Sequence, residues 1–221
     1  MLKKIFHYFR KRKILRSDPA AAIREVGHRE YVGGRWDEIG KLQFDFLLSQ
    51  GLKPHHVFLD IACGSLRGGV HFIRYLDRGH YLGIDKEEAL IRAGMDHELG
   101  RALYEDKAPE WIVSNQFEFH KFSKIPSFVL AHALFTHLAP HDIELCLSRL
   151  RAFVAPGCRF YATFFEVRRA AKNAAASQDH TMFKYPRDAM IRFGEKNRWR
   201  ARYLGAWHHP RNQMMIEYTA V

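Results

Sequence analysis

Cysteine is scarce in this chain. Cys63, Cys146 and Cys158 are the only three in 221 residues, and no two stand in C-x-x-C spacing. That excludes a disulfide framework and a zinc ribbon, and it fits a reducing cytosol. No apolar run approaches the roughly 20 residues needed to span a bilayer. The basic start is followed by more basic residues instead of the apolar core of a secretory signal, so a cytoplasmic chain is expected. Repeats and low-complexity domains are absent. Neither G-x-G-x-x-G nor G-x-x-x-x-G-K-[ST] occurs, which removes the common dinucleotide and phosphate-loop signatures. No helix offers spaced histidines together with a carboxylate, so no metal is expected.

Apolar residues make up 47% of the chain and aromatics 14%, enough for the core of one domain of this length. The formal charge of +11 is unevenly placed. Lys3, Lys4, Arg10, Lys11, Arg12, Lys13 and Arg16 stand in residues 1–17 without an acid, leaving +4 for the remainder. The high isoelectric point is therefore largely a property of the N-terminal extension, which weakens a nucleic-acid reading of the rest. In that extension Leu2, Ile5, Phe6 and Phe9 recur at helical spacing among cations. A basic amphipathic segment of this kind suits peripheral, salt-sensitive contact with the anionic inner face of a membrane. A solvated extension that docks its aromatics on the domain or on a partner is the alternative.

The most informative stretch is HVFLDIACGSLRGGVHFIRYLDRGHYLGID, His56 to Asp85. An apolar run reaches Asp60, a loop carrying Gly64, Gly68 and Gly69 follows, then a helical pattern, then a second short strand ending in Asp85. Glycines let the backbone approach a ligand, and an acid at the tip of the second strand can accept both hydroxyls of a ribose. Asp60, just before the loop, repels phosphate and suits a cationic ligand. LDIACGSLRGG resembles the first motif of the class I S-adenosylmethionine-dependent methyltransferases, with Ala62 where a glycine is usual. GID, Gly83 to Asp85, resembles their second. The resemblance runs from about Trp36 to the C-terminus. Another doubly wound nucleotide binder, or a methyltransferase-like scaffold without activity, remains an alternative.

Strand and helix alternate beyond that point. Strands are expected at about 56–62, 80–84, 111–114, 127–133 and 159–165. Helices are expected at about 68–77, 87–101, 140–153 and 186–197, and two closing strands at 199–207 and 213–220. Such alternation implies a parallel sheet covered on both faces. The loop HHPRN is too short for a parallel crossover, so the last strand runs antiparallel. The fold class is α/β: a doubly wound, seven-stranded, mostly parallel sheet with an antiparallel last strand. Residues 18–54, opening with Asp18-Pro19 as N-cap and first helical residue, form a helical cap on a domain spanning 55–221. The polar stretch 167–184 is long for a connection, as lids often are. Its Arg168, Arg169, Lys172 and His180 can meet an acidic acceptor or water.

The resemblance implies S-adenosyl-L-methionine as cofactor and assigns roles. Asp60, Ala62, Gly64, Ser65 and Gly68 border its methionine part, Asp85 its ribose, and the stem of Lys86 its adenine. Asn115 or Gln116 meets the adenine edge. Asp60 can also cap loop amides, and Asp85 can cap the next helix. Arg67 faces solvent or ties down the loop. Tyr31, Arg35 and Trp36 line the mouth. The fourth motif falls at AHALFTHLAP, Ala131 to Pro140. It lacks N-P-P-[YF], which argues against amide-nitrogen methylation, and no cysteine outside the cofactor loop is placed for pyrimidine chemistry. His132 and His137 remain there. His137 is a candidate base or a structural histidine. In the last hairpin, His208 and His209 are candidate bases and Arg211 a candidate contact for an anionic or polyhydroxylated acceptor. The expectation is O-methylation of a small-molecule, glycan or lipid-linked hydroxyl. RNA or protein methylation is the rival.

Overall fold

The computed structural model describes residues 18–169, 171–179 and 181–221. The basic extension and His180 lie outside them. Helix α1 (Pro19–Val26) starts where the chemistry dictates: the Asp18 carboxylate accepts from Ala21 N–H at 2.9 Å, and Pro19 has no donor to lose. A one-turn helix α2 (His28–Tyr31) and helix α3 (Trp36–Ser49) complete the cap. Helix α1 packs on α5 (Glu88–Gly94), and α3 on α4 (Gly69–Tyr75).

The sheet comprises β1 (Phe58–Ile61), β2 (Tyr81–Asp85), β3 (Glu110–Val113), β4 (Phe128–Ala131), β5 (Arg159–Glu166), β7 (Trp199–Ala206) and β8 (Met214–Ala220). Their spatial order is β3-β2-β1-β4-β5-β8-β7. Strands β3, β2, β1, β4 and β5 are mutually parallel, and β8 is antiparallel to both its neighbours. Strand β7 therefore runs with the parallel set, and the last hairpin opens at their carboxyl end. One strand was not expected: β6 (Lys184–Tyr185) pairs parallel with the end of β5, Phe165 opposite Lys184. Two residues carry no readable period, so the sequence pattern cannot reveal them.

The helix expected at 87–101 is also corrected. Helix α5 passes through a π-helical segment, Met95–Leu99, into α6 (Gly100–Lys107), with Gly100 at φ 69°. Helices α7 (Pro140–Phe153) and α8 (Arg187–Lys196) fall where the pattern puts them. Alternation along the strands divides the core. Leu59, Ile61, Val129 and Phe160 pack with α7 and α8, while Phe58, Leu130, Tyr161 and Met215 pack toward α3 and α4. The strand order reverses between β1 and β4, and a crevice opens beyond their carboxyl ends, where doubly wound sheets bind ligands.

Candidate active site

The crevice encloses about 600 Å³, a size that holds a small ligand. Its floor is the loop after β1. Ala62 and Gly64 both take left-handed backbone, φ 59° and 55°. That turn brings the Gly64 N–H to the Asp85 carboxylate at 2.8 Å. The other Asp85 oxygen accepts from Glu87 N–H at 2.9 Å. Asp85 thus caps the following segment and still lines the crevice. Burial raises its pKa, and the two N–H bonds work against that rise. Each oxygen keeps acceptor capacity for a hydroxyl.

Asp60 sits one strand away, accepting from the Tyr81 hydroxyl at 2.8 Å. Burial pushes its pKa up to about 7 against that bond, and the Asp85 charge adds to the rise. Gly68 lets the Gln43 amide lie close, since a Cβ there would meet Gln43 Oε1 at 2.7 Å and push that side chain aside. Ser65 is buried in the loop, and its hydroxyl has no partner among the described residues.

Tyr31, Lys86 and Asn115 line the same crevice. Tyr31 stands among Glu87, Asp179 and Asp85, and burial followed by those charges pushes its pKa up to about 12. Lys86 pairs with Asp179 at 2.7 Å and with Glu87 at 3.8 Å. Asp179 belongs to the segment after β5, whose ties cross to the β4 end. Gln178 N–H donates to the His137 carbonyl at 3.1 Å, and Phe183 N–H to Thr136 at 2.8 Å. Ser177 Oγ accepts from Ala139 N–H at 2.7 Å and donates to Asp142. These ties bring Ser177, Gln178, Asp179 and Met182 into the crevice lining.

Five expected positions fall elsewhere. Trp36 packs edge-on against His28 under the Arg29 guanidinium, away from the crevice, because it opens α3 on that helix's buried face. Gln116 is exposed, its N–H held by Ser114 Oγ and its carbonyl by Arg149. His208, at φ 64°, points to a shallow outer groove with Asp37 and Lys41. His209 is buried behind the crevice wall. The positive φ at His208 sends the two neighbouring side chains of the hairpin to different surroundings. Arg35 reaches the Pro210 carbonyl at 3.3 Å.

The β4 end and the last hairpin meet. His132 Nε2 lies 3.1 Å from His209 Nε2, and His132 Nδ1 lies 3.3 Å from Arg67 Nη2. Burial first, then Arg67, His209 and Arg211, keep His132 well below the usual histidine range. Burial first, then Arg211, Arg67 and Arg35, lower His209 to about 4. Both rings are neutral near pH 7. His137 lines the crevice and faces the Thr181 carbonyl through Nδ1 at 3.2 Å. A carbonyl accepts, so that nitrogen donates.

Sequence reasoning did not single out Gln43, Gln213 or Asp179 for the site. Gln43 had a signal: it stands between Ile39 and Leu47 at helical spacing, a polar residue on an apolar face. Gln213 and Asp179 had none, since only the fold brings them in. Arg67 proves to be the loop tie and not a solvent-facing group, donating to the Val32 and Gly34 carbonyls at 3.1 Å each.

No protein-family model matches the sequence. Solved structures do match the fold. Magnesium protoporphyrin IX methyltransferase from Synechocystis PCC 6803, with bound SAM, superposes with a TM-score of 0.59 at 12% identity, covering 96% of this chain and 91% of that one. DesVI of Streptomyces venezuelae gives 0.65 at 12%, covering 90% and 98%. A glycopeptide N-methyltransferase, MtfA, complexed with S-adenosyl-L-homocysteine, gives 0.64 at 12%, covering 84% and 90%. The chain has the fold of the class I S-adenosylmethionine-dependent methyltransferases.

Proposed function

We propose that the chain is an S-adenosylmethionine-dependent methyltransferase that methylates a hydroxyl of a small-molecule, glycan or lipid-linked acceptor. The observation that carries the reading is the buried Asp85 carboxylate at the tip of β2, facing the crevice across the Gly64 turn with Asp60 beside it. Two acids and a close backbone turn fit a cationic nucleoside. When bound, S-adenosylmethionine supplies an electrophilic methyl group on a sulfonium. Asp85 would hold the ribose and Asn115 the adenine edge, with the stem of Lys86 alongside. The segment after β5, tied by Asp179 to Lys86, would border the bound group. Alignment of the two reactants is the main source of rate in such displacements. His137, which lines the crevice, is the candidate to take the hydroxyl proton, whereas His209 at about 4 is a weak base at neutral pH.

MtfA carries the same fold and is named an N-methyltransferase, so the fold does not choose the acceptor atom. The case for oxygen rests on the missing N-P-P-[YF] tetrad. The test is calorimetric titration of the full chain with S-adenosylmethionine and S-adenosylhomocysteine, beside Asp85→Ala. Micromolar binding of both, lost in a variant that still melts cooperatively, is the expected result. Absence of binding to the natural sequence defeats the reading.

A further inference from the structure

Two arginines converge on one wall of the crevice, Arg67 and Arg211. Arg67 Nη1 donates to the Val32 and Gly34 carbonyls at 3.1 Å, and Arg211 Nη2 to the Gly33 carbonyl between them. Both line the crevice. Among the described residues neither is ion-paired with a carboxylate, and Arg67 Nε is buried without a partner. Asp60 is the acid nearest in influence to Arg67, and it is bonded to Tyr81 instead. Burial and the Arg211 charge lower Arg67 to about 10.

The histidines between the arginines sharpen the point. Arg67 Nη2 faces His132 Nδ1 at 3.3 Å, the two Nε2 atoms face each other at 3.1 Å, and Arg211 N–H faces His209 Nδ1 at 3.2 Å. These are three contacts, each needing a lone pair. Two neutral imidazoles offer one lone pair apiece. The chain is one acceptor short, with donors at both ends. Gln213 adds to the surplus. Thr163 Oγ1 accepts from Ala133 N–H at 2.7 Å, so its proton goes to Gln213 Oε1 at 2.7 Å and leaves the amide N–H₂ as a donor. Protonating a ring would only enlarge the excess. An acceptor oxygen on a ligand removes it, and the charge of two guanidinium groups without an ion pair makes an anionic oxygen the best suited. Leu134, Phe165 and Met182, which are apolar, line the same crevice.

We propose that this wall is an acceptor subsite for an anionic oxygen group, a carboxylate or phosphate carried on an apolar or aromatic body, held by Arg211 and Arg67 with His132 and Gln213 behind them. The inference rests on the methyl-transfer reading and narrows its acceptor class. The cofactor's own carboxylate is the competing source of the same chemistry.

The experiment titrates the full chain, saturated with S-adenosylhomocysteine, with benzoate, phenyl phosphate and benzyl alcohol. The Trp207 indole N–H signal reports binding by NMR, because that ring stacks on His209 at 5.3 Å. Benzoate and phenyl phosphate should shift it, and benzyl alcohol should bind at least about tenfold more weakly. Arg211→Gln should weaken both anions by about tenfold or more while S-adenosylhomocysteine affinity stays within about twofold. Arg211→Lys should recover part of the anion binding, which a purely structural arginine would not show. Equal binding of the alcohol, or no binding of the anions, reduces the arginines to clamps on the 32–34 turn and overturns the proposal. Anion binding abolished by S-adenosylhomocysteine assigns the wall to the cofactor carboxylate and also overturns it. Failure of S-adenosylhomocysteine itself to bind strikes the methyl-transfer reading, and the acceptor assignment falls with it.

Discussion

Ala62 occupies a left-handed position, φ 59°, where its Cβ is a liability. That conformation costs an L-residue about 1–2 kcal/mol, and glycine gives back about 0.4–1 kcal/mol through the unfolded chain. Ala62→Gly should therefore stabilise the fold by up to about 1 kcal/mol in urea unfolding. A lower midpoint would mean that the methyl group packs usefully. Asp60 makes a sharper case. Its folded pKa, about 7, lies above the ordinary 3.8, so the native state binds the extra proton and stability falls as pH rises from about 3.8 through 7. Asp60→Asn should melt higher than the natural sequence at pH 8 and not at pH 4. Binding of a cationic cofactor favours the carboxylate, so at pH 7 it should release up to about half a proton. Calorimetry in buffers of different ionisation enthalpy reads that number, and the Asn variant should release none. These residues were legible because each sits at a strand end beside a glycine turn. Arg67, His132 and His209 were not legible as a group. Their contacts join positions 65 and 77 residues apart, and only the sheet order brings them together.

At the scale of elements, Glu217 on β8 joins three strands. It accepts from Arg159 at 2.7 Å and Tyr161 at 2.9 Å on β5, and from Arg202 at 2.7 Å on β7. Burial alone would raise its pKa, and the bonds from Arg159, Arg202 and Tyr161 outweigh that and lower it. A depressed carboxylate contributes stability that is present above about 4.5 and is lost as pH falls through the folded value. Glu217→Gln should cost about 1–3 kcal/mol at pH 7, since it replaces a buried carboxylate with an amide facing the buried Tyr161 hydroxyl and two partly exposed guanidinium groups. The difference from the natural sequence should shrink below pH 4.5. A pH-independent difference would place the cost in packing. Strand–helix alternation was readable because each strand is apolar and each helix has a buried stripe. The π-helical segment and β6 were not, since the first keeps an apolar period and the second is too short to have one. The segment after β5 was readable as a long polar connection. Its seat on Thr136, His137 and Ala139 depends on backbone bonds that composition does not encode.

The whole molecule divides its work along the chain. Residues 18–221 hold the sheet and the acid-lined crevice at a formal charge of only +4, while residues 1–17 hold seven cations with Leu2, Ile5, Phe6 and Phe9. Among the described residues no helix is long and apolar enough to cross a membrane. A ligand that binds only the native state stabilises it by RT ln(1 + [L]/Kd), about 2.7 kcal/mol at a hundredfold excess over Kd. That gain depends on the crevice alone. Removing residues 1–17 should leave the rise in melting temperature with S-adenosylhomocysteine unchanged. The same truncation should abolish co-sedimentation with phosphatidylserine-containing vesicles, which in the full chain should weaken steeply as salt rises because the contact is electrostatic. Loss of the thermal shift on truncation would make the extension part of the cofactor site. Vesicle binding that survives truncation would move the membrane contact onto the folded domain. If the two readouts separate as expected, the extension serves membrane contact and residues 18–221 serve cofactor binding. An acceptor near an anionic membrane surface would then meet both.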